Sequence, residues 1–137
     1  VLDPIRKRMG DAAFNIALAD GQSGSIEVQE LESIRGRSFD ERSFLLLEES
    51  QQSTPEEMLA VITRVSDDCK IICSGDLNQR DGQGESGLKW LLDFVRRHNI
   101  PGVGIVNFDS PEDIVRGGLV KNIAIGLMKE GQLRNNK

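Results

Sequence analysis

The chain has 137 residues, of which 38% are hydrophobic and 28% charged, a balance that is typical of one folded globular domain and excludes a disordered segment. Its 17 basic and 22 acidic residues give a formal net charge of −5, so any contact with nucleic acid needs local basic sites. No apolar run approaches the roughly 20 residues that a membrane-spanning helix requires, and we expect no membrane partner.

The first part of the chain predicts one helix and two strands. Apolar residues recur every three or four positions across residues 3–19, which indicates a helix that ends at the following Asp-Gly. Residues 26–31 alternate apolar and polar side chains, as a half-buried strand does. Residues 43–47 are short and almost continuously apolar, which is typical of a strand buried on both faces.

A strong sequence signal for the start of a helix follows this second strand. Thr54 can cap the helix, Pro55 stands at its first position, and Glu57 completes a capping box. We expect this helix to run to about Val65. Residues 70–74, Lys-Ile-Ile-Cys-Ser, predict another buried strand.

The remaining elements continue the alternation of helix and strand. They are a polar loop at 75–86, a helix near 87–98, a strand at 103–108, a cap and proline at 110–113, a helix near 119–130, and a polar tail at about 131–137. Buried strands alternating with helices predict an α/β fold, with a parallel sheet and flanking helices. Ligands of such sheets bind outside the carboxyl ends of the strands, where we expect the chemistry.

Polar side chains follow two of these strands where each strand ends. Glu48 and Glu49 follow the strand at 43–47, where one acid can hold a Mg²⁺ shell and its neighbour can orient or deprotonate an attacking water. Asp76 and Gln79 follow the next strand and can contact a metal-bound water and a γ-phosphate. Each set alone also fits a solvated turn. Two such strand ends joined by a single helix favour a functional site.

Several stretches carry a family resemblance in their order and spacing, from about Leu2 to Met128. They are Arg35-Gly36-Arg37, Phe44 to Met58, Thr63-Arg64, Lys70 to Gln79, Ser86-Gly87-Leu88, Asp113 to Arg116 and Leu119-Val120. These stretches resemble the PhoH-like family, P-loop ATPases related to superfamily 1 helicases with a RecA-like core. The resemblance implies that residues 1–137 are the C-terminal part of such a domain. It implies ATP and Mg²⁺ as cofactors, self-association into rings that are hexameric in some members, and action on RNA or other single-stranded nucleic acid.

The resemblance assigns roles around the first acidic strand end. Glu48 stands at the Walker B position, where the family usually has the shorter Asp, and would hold Mg²⁺ through water. Glu49 matches the catalytic base, and Gln51 matches a polar position beside the phosphates. Arg35 and Arg37 match positions that contact nucleic acid or a subunit interface, although a solvated turn fits them equally well.

The resemblance also assigns roles in the second half of the chain. Gly75, Asp76 and Gln79 match the third helicase-type motif, with Gly75 and Asp76 at the cofactor, Asp76 also at the metal, and Gln79 in catalysis. Arg116 matches an arginine finger that reaches the nucleotide of a neighbouring subunit. The competing interpretation of Arg116 is a surface salt bridge with a neighbouring acid.

The sequence lacks a phosphate-binding loop, because it contains no Gly-Lys dipeptide and therefore no Gly-x-x-x-x-Gly-Lys-Ser/Thr. In the family this loop lies upstream of the position that matches Val1. We therefore expect a fragment or one half of a split gene, which alone binds ATP weakly or not at all. An inner sheet edge left unpaired would favour dimerisation. The alternative is a non-catalytic interaction or nucleic-acid-binding module derived from an ATPase half.

A lesser alternative is a dinucleotide-binding domain. Gly82, Gly84 and Gly87 fit Gly-x-Gly-x-x-Gly before a helix, and Asp109 follows some 20 residues on. However, residues 75–81 separate these glycines from the preceding strand, whereas the fingerprint needs its turn at the strand end.

The cysteines and the single histidine predict neither a metal site nor a catalytic triad. Cys69 and Cys73 lack a second pair at zinc-ligand spacing, which favours buried thiols in a reducing cytoplasm. His98 lies at a helix end beside Arg96 and Arg97, where a cation suits the helix dipole. Without a second histidine or a reactive serine motif, a hydrolase triad is not supported.

Overall fold

The computed structural model describes residues 2–18, 25–34, 36–39, 42–115 and 117–135, in two compact units, 1–98 and 99–137. The first unit contains α1 (Leu2–Met9), α2 (Asp11–Ala17), β1 (Phe44–Leu47), α3 (Pro55–Ile62), β2 (Lys70–Cys73) and α4 (Gly87–His98), with 3-10 turns at Leu31–Ile34, Ser50–Gln52 and Leu77–Gln79. The second contains a 3-10 turn at Pro111–Asp113 and α5 (Gly118–Asn135).

The single helix predicted at 3–19 is two helices, α1 and α2, separated by Gly10. Gly10 has a φ of 82°, a backbone conformation that glycine adopts at little cost and that ends α1. Arg6 and Asp11 form an ion pair across the break at 2.6 Å. Residue 19 and the predicted breaker residues at 20–24 lie outside the described residues.

The strand predicted at 26–31 is wrong. Residues 25–30 belong to no strand and lead into the 3-10 turn at Leu31–Ile34. A strand exists only where a neighbouring strand shares its backbone hydrogen bonds, and among the described residues no strand pairs with this segment. Ile26 N donates instead to Ala17 O of α2 at 2.9 Å. The parallel bridge in this region, between Phe39 and Val65, is isolated.

The sheet consists of β1 and β2, which pair in parallel from Phe44↔Lys70 to Leu47↔Cys73. The α/β class is therefore confirmed, with a smaller sheet than the sequence predicted. The α3 helix makes the crossover between the strands, and its capping box is confirmed. Glu57 N donates to Thr54 Oγ1 at 3.2 Å, and Thr54 N donates to Glu57 Oε2 at 2.8 Å.

Burial of both strands on two faces was also a wrong prediction. Alternate side chains point to opposite faces of a sheet; Leu45, Leu47, Ile71 and Cys73 are half-buried, and those on the other face are exposed. The exposed members are Phe44 at 61%, Leu46 at 42% and Ile72 at 48%. A continuous apolar run does not reveal whether a second layer covers its outer face.

The core of the first unit lies between α3 and α4. Met58 and Val61 of α3 are 0% and 1% exposed, and Leu88 and Val95 of α4 are buried with them. The start of α4 is packed so closely on α3 that a Cβ at Gly87 would lie 2.5 Å from Thr54 O. This contact holds together the ends of the loops that leave β1 and β2, because those loops lead to α3 and α4.

In the second unit the cap and proline predicted at 110–113 are confirmed at the 3-10 turn, where Ser110 N donates to Asp113 Oδ2 at 3.0 Å, but the predicted strand and the predicted tail are wrong. Residues 103–108 are not a strand, since no described segment offers them a hydrogen-bonding partner, and Val106 and Phe108 are 76% and 77% exposed. The α5 helix extends to Asn135, so much of the predicted polar tail is helical, and residues 136–137 lie outside the described residues. No helix in the described ranges has both the length and the apolarity to cross a membrane.

Candidate functional site

The ends of β1 and β2 lie side by side and hold the residues that follow them together. Ser74 N donates to Leu47 O at 2.9 Å, and Ser50 N donates to Ser74 O at 2.9 Å. These bonds extend the parallel ladder beyond both strands, so the Glu48-Glu49 turn and the loop after Ser74 leave the sheet at the same edge.

Four predicted site residues form one chain of hydrogen bonds at this edge. Gln51 Nε2 donates to Glu49 Oε2 at 2.7 Å, and Asp76 N donates to Gln51 Oε1 at 3.2 Å. Gln79 Nε2 then donates to Asp76 Oδ2 at 2.8 Å. The amide of Gln51, which is 1% exposed, therefore links the two strand-end loops from within the protein.

Gly75 is required for the close approach of these loops. A Cβ at this position would lie 2.3 Å from Gln51 Oε1 and 3.0 Å from Gln51 N. The following turn is stabilised by Asp76, whose Oδ1 accepts from Asn78 N at 2.9 Å. Both carboxylate oxygens of Asp76 thus have donors within its own loop.

Glu48 and Glu49 present two exposed carboxylates at the end of β1. Glu49 has a φ of 50° and a ψ of 34°, a left-handed conformation that is uncommon for residues other than glycine and costs on the order of 1–3 kcal/mol. It turns the chain directly from the strand into the 3-10 turn. Both glutamates line an open groove of about 1020 Å³.

The acids by themselves do not form a complete metal site. In the described parts of the chain, no group of three or more His, Cys, Asp or Glu side chains is placed to hold a metal. Mg²⁺ characteristically takes one or two carboxylates and fills its remaining positions with water and phosphate oxygens. Glu48 and Asp76 supply such carboxylates, whereas nothing in the sequence supplies a phosphate-binding loop.

Arg80 is a site residue that the sequence analysis missed. Its Nη1 donates to Ser53 O at 3.0 Å and also to Gln51 O, its Nε donates to Gly84 O at 3.3 Å, and its Nη2 donates to Gln83 O at 3.3 Å. One side chain thus ties the loop after β2 to the loop after β1. No signal in the sequence distinguishes this arginine from a solvated one.

The sequence analysis also missed Gln52, which lies on the loop after β1 and binds residues on the loop after β2. Its Nε2 donates to Gln79 O at 2.8 Å and to Asp81 Oδ2 at 3.2 Å, and its Oε1 accepts from Asp81 N at 3.1 Å. The two loops are therefore connected by the side chains of Gln51, Gln52 and Arg80.

Other predicted residues lie apart from this cluster. Arg37 pairs with Glu27 at 2.8 Å, and both Arg35 and Arg116 lie outside the described residues. Cys73 lies in β2, where burial raises the pKa of its thiol and a hydrogen bond with Ser50 opposes that rise.

The glycine pattern of the dinucleotide alternative does not occupy a strand-end turn. β2 ends at Cys73, a 3-10 turn follows at Leu77–Gln79, and α4 begins only at Gly87. The tight strand–turn–helix connection that brings a backbone against a pyrophosphate is therefore missing at this position.

A family model described as PhoH-like protein matches residues 1–127. The PhoH-like protein of Bacillus subtilis (strain 168) is 32% identical over 129 residues, which are 89% of this chain and 39% of that protein. The PhoH-like protein of Mycobacterium leprae (strain TN) is 31% identical over 129 residues, 89% of this chain and 36% of that protein.

A further relative, Protein PhoH of Escherichia coli (strain K12), is 32% identical over 121 residues, 87% of this chain and 33% of that protein. No solved structure matches the chain. The chain spans less than two fifths of the length of these relatives. The family model nevertheless covers all but the last ten residues, and we conclude that the chain belongs to the PhoH-like protein family.

Proposed function

We propose that this chain is part of an ATP-hydrolysing P-loop ATPase with a RecA-like core, in which it supplies the Walker B acids and the residues that respond to the γ-phosphate. The observation that carries this proposal is the hydrogen-bonded chain from Glu49 through Gln51 and Asp76 to Gln79. It joins the ends of two adjacent parallel strands, which is where α/β sheets bind their ligands. Membership of the PhoH-like family supports the same assignment.

The acids divide into metal-binding and proton-accepting roles. Glu48 and Asp76 would hold Mg²⁺ through water, and the bound ion would neutralise charge on the phosphates. Glu49 is the base that takes a proton from the attacking water, and its carboxylate is oriented by the buried Gln51 amide. Gln79, held by Asp76, is positioned to donate to the γ-phosphate or to the water.

The strained backbone of Glu49, the proposed base, is connected with its hydrogen bond to Gln51. The left-handed backbone at Glu49 turns the chain so that Gln51, only two residues later, reaches back to the same carboxylate. Strain of this kind persists where surrounding contacts determine the geometry, as they do at catalytic sites. In this site the determining contacts are the buried amide of Gln51 and the Ser50 N to Ser74 O bond.

The positive charge for the triphosphate has to come from another stretch of polypeptide. The sequence contains no phosphate-binding loop, and the cation beside the strand ends, Arg80, donates to backbone carbonyls. We propose that this stretch belongs to a longer protein or to a second chain. An arginine finger at Arg116 and assembly as a ring are part of the same proposal.

RNA or another single-stranded nucleic acid is the proposed partner of the complete ATPase. This part of the proposal rests on the family resemblance together with the local basic positions, because the net charge of −5 provides no general attraction to phosphate. Arg37 is engaged with Glu27, so a contact of Arg37 with nucleic acid requires that this exposed ion pair open. Exposed pairs open readily, since they are worth about 0–1 kcal/mol.

A non-catalytic module derived from an ATPase half is the second candidate. The missing phosphate-binding loop and the Glu at the Walker B position favour it. The bonded set of Glu49, Gln51, Asp76 and Gln79 favours catalysis, because a site without chemistry has no need to hold a buried amide between two carboxylate-bearing loops.

ATP hydrolysis measured on two proteins separates these candidates. One is this chain alone, and the other is a chimera that adds the part of the Bacillus subtilis relative outside the matched region. We expect Mg²⁺-dependent turnover only in the chimera, because the family resemblance implies a phosphate-binding loop upstream of the matched region. Absence of turnover in the chimera, with ATP still bound, would leave the non-catalytic module as the function.

Glu49→Gln in the chimera tests the assigned base. The variant should keep ATP affinity and lose about 10²- to 10⁴-fold in turnover, the range that a general base contributes. Glu56→Gln is the matched control, because Glu56 is an exposed carboxylate on α3, and it should behave as the parent. Undiminished turnover of Glu49→Gln would remove Glu49 from the mechanism.

A further inference from the structure

Arg80 fastens the two loops that carry the candidate catalytic residues, and we propose that it is a positioning residue for the Glu49–Gln51–Asp76 arrangement. The inference rests on the proposed function, because it concerns the geometry of the same site. Arg80 acts by holding the backbone of both loops and does not contact the substrate. Its role depends on the planar shape of the guanidinium and on the four backbone carbonyls to which it donates.

The guanidinium bonds span both loops. Nη1 donates to Gln51 O and to Ser53 O, the latter at 3.0 Å, on the loop after β1. On the loop after β2, Nε donates to Gly84 O at 3.3 Å and Nη2 donates to Gln83 O at 3.3 Å. The nitrogens of the planar Arg80 guanidinium thus bind carbonyl oxygens of both loops, which fixes the distance between the loops.

Two of the four carbonyls bound by Arg80, those of Gln51 and Ser53, belong to buried residues, whereas Gln83 and Gly84 are exposed. Gln51 and Ser53 are 1% and 5% exposed. A buried carbonyl without a donor costs free energy comparable to a lost hydrogen bond. Ser53 O accepts from Gly87 N at 2.8 Å as well as from Arg80, so the same oxygen ties the loop to the start of α4.

The charge of Arg80 is not used in an ion pair. The ion pairs within the described residues are Arg6–Asp11, Arg37–Glu27 and Lys89–Asp93. Arg80 donates to carbonyl oxygens instead, and charge-assisted bonds of this kind are stronger than bonds between neutral groups. Lysine keeps the charge but lacks the planar fork, so Arg80→Lys separates the two properties.

The consequence for the site follows from Gln51. Arg80 holds the Gln51 carbonyl, while the Gln51 side chain donates to Glu49 and accepts from Asp76 N. Loss of the fork removes the donor to the Gln51 carbonyl and one of the two donors to the Ser53 carbonyl, so the Gln51 amide is held less firmly between the loops. Glu49 then loses its orientation although neither Glu49 nor Gln51 has been changed.

Amide hydrogen exchange of this chain, measured residue by residue by NMR, tests the positioning of the loops without nucleotide. The informative amides are Asp76 N–H and Asp81 N–H, which donate across the loops to Gln51 Oε1 and Gln52 Oε1. In Arg80→Lys both should exchange about tenfold faster, which corresponds to a loss of about 1.4 kcal/mol of local stability. The amide of Met58, bonded to Thr54 O within α3 at 3.0 Å, should be unchanged.

Arg8→Lys is the matched control, because Arg8 is exposed on α1. It should leave the exchange of Asp76 and Asp81 at the parent rates. Unchanged exchange of both amides in Arg80→Lys would overturn the proposal. Equal acceleration at Met58 would also overturn it, because the effect would then be a general loss of stability.

The kinetic arm uses the chimera described above. Arg80→Lys should lower kcat about tenfold with KM unchanged, since a residue that orients the base acts on the transition state and not on ATP binding. Faster loop exchange with the parent kcat would overturn the positioning role. If the parent chimera has no turnover, the proposed function has failed, and the exchange measurement alone decides whether Arg80 fixes the loops.

Discussion

Gly75→Ala tests the packing on which the candidate site depends. The new Cβ would lie 2.3 Å from Gln51 Oε1, 3.0 Å from Gln51 N and 3.0 Å from Leu88 Cδ2. Contacts below 3.0 Å do not persist, and the Gln51 side chain cannot move freely to solvent because it is 1% exposed. The substitution must therefore push the loops apart or displace the Gln51 amide.

The magnitude follows from two losses. Overpacking of a close-packed region costs typically 1–3 kcal/mol, and loss of the bond from Asp76 N to Gln51 Oε1 adds about 1 kcal/mol. We expect Gly75→Ala to lower the free energy of unfolding by about 2–4 kcal/mol. Chemical denaturation monitored by the fluorescence of Trp90, which lies on α4, measures this difference.

Gly82→Ala is the control in the same loop. A Cβ at Gly82 would meet Arg80 Nη2 at 3.5 Å, an ordinary contact, so the change should be within about 1 kcal/mol of the parent and of either sign. A loss below about 0.5 kcal/mol in Gly75→Ala would show that the two loops are not in contact as described. Equal losses in the two variants would show that glycine matters here for chain flexibility alone.

Two further predictions concern the elements that flank the site. Thr54→Ala removes the cap of α3 and should lower the free energy of unfolding by about 1 kcal/mol in a urea titration, and a value near zero would contradict the capping box. The raised pKa of the half-buried Cys73 thiol means that the folded protein binds its proton more tightly than the unfolded chain. Stability should therefore fall as pH rises above 9.0, the ordinary value of this thiol. Cys73→Ala should reduce this fall in urea midpoints measured between about pH 8 and 10.5, and an identical pH profile in the variant would assign the fall to other groups.

The parts of the fold that were predictable depend on residues close in sequence. The Thr54, Pro55 and Glu57 signal concerns one helical turn, and it identified both the start of α3 and its capping box. The two strands and their parallel pairing followed from apolar runs joined by a helix. Gly10 was the local feature that was overlooked, since a left-handed glycine ends a helix even where the apolar spacing continues.

The parts that were not predictable depend on distant partners. Residues 26–31 and 103–108 have strand-like composition but no described strand beside them, and composition cannot supply a neighbour. The outer face of β1 is exposed for a similar reason, because the apolar run at Phe44 to Leu47 is compatible with one covering layer or with two. Tertiary context decides such cases against intrinsic preference.

The candidate site likewise contains some residues that were predictable from the sequence and others that were not. Glu49, Asp76 and Gln79 were predictable because acids and amides directly after apolar strands are a local pattern. Arg80 and Gln52 were not, since the partners that they bind on the other loop lie 27–29 residues away in sequence. A hydrogen bond of that span becomes apparent only when the two loops have been placed against each other.

The buried polar side chains of the first unit lie close to the candidate site. Within the described residues, Ser50, Gln51, Ser53 and Ser86 are buried, and all follow a strand or precede a helix beside the strand ends. Each is bonded: Ser50 Oγ donates to Leu47 O, Ser53 Oγ to Ser50 O, and Ser86 Oγ accepts from Lys89 N. Pairing of this kind offsets the cost of burying a polar group, whereas Ser66 Oγ is buried without a partner among the described residues.

An apolar residue at position 51 would therefore separate the packing of Gln51 from its hydrogen bonds. Leucine fills a similar volume, but it would leave Asp76 N without its acceptor and Glu49 Oε2 without its donor. Removing one partner of a buried hydrogen bond costs about 1–3 kcal/mol, so the Gln51 amide contributes to stability as well as to the relative placement of the two loops. A buried amide that joins two loops at the ends of the strands is the kind of residue expected where a sequence is constrained by a site and not by folding alone.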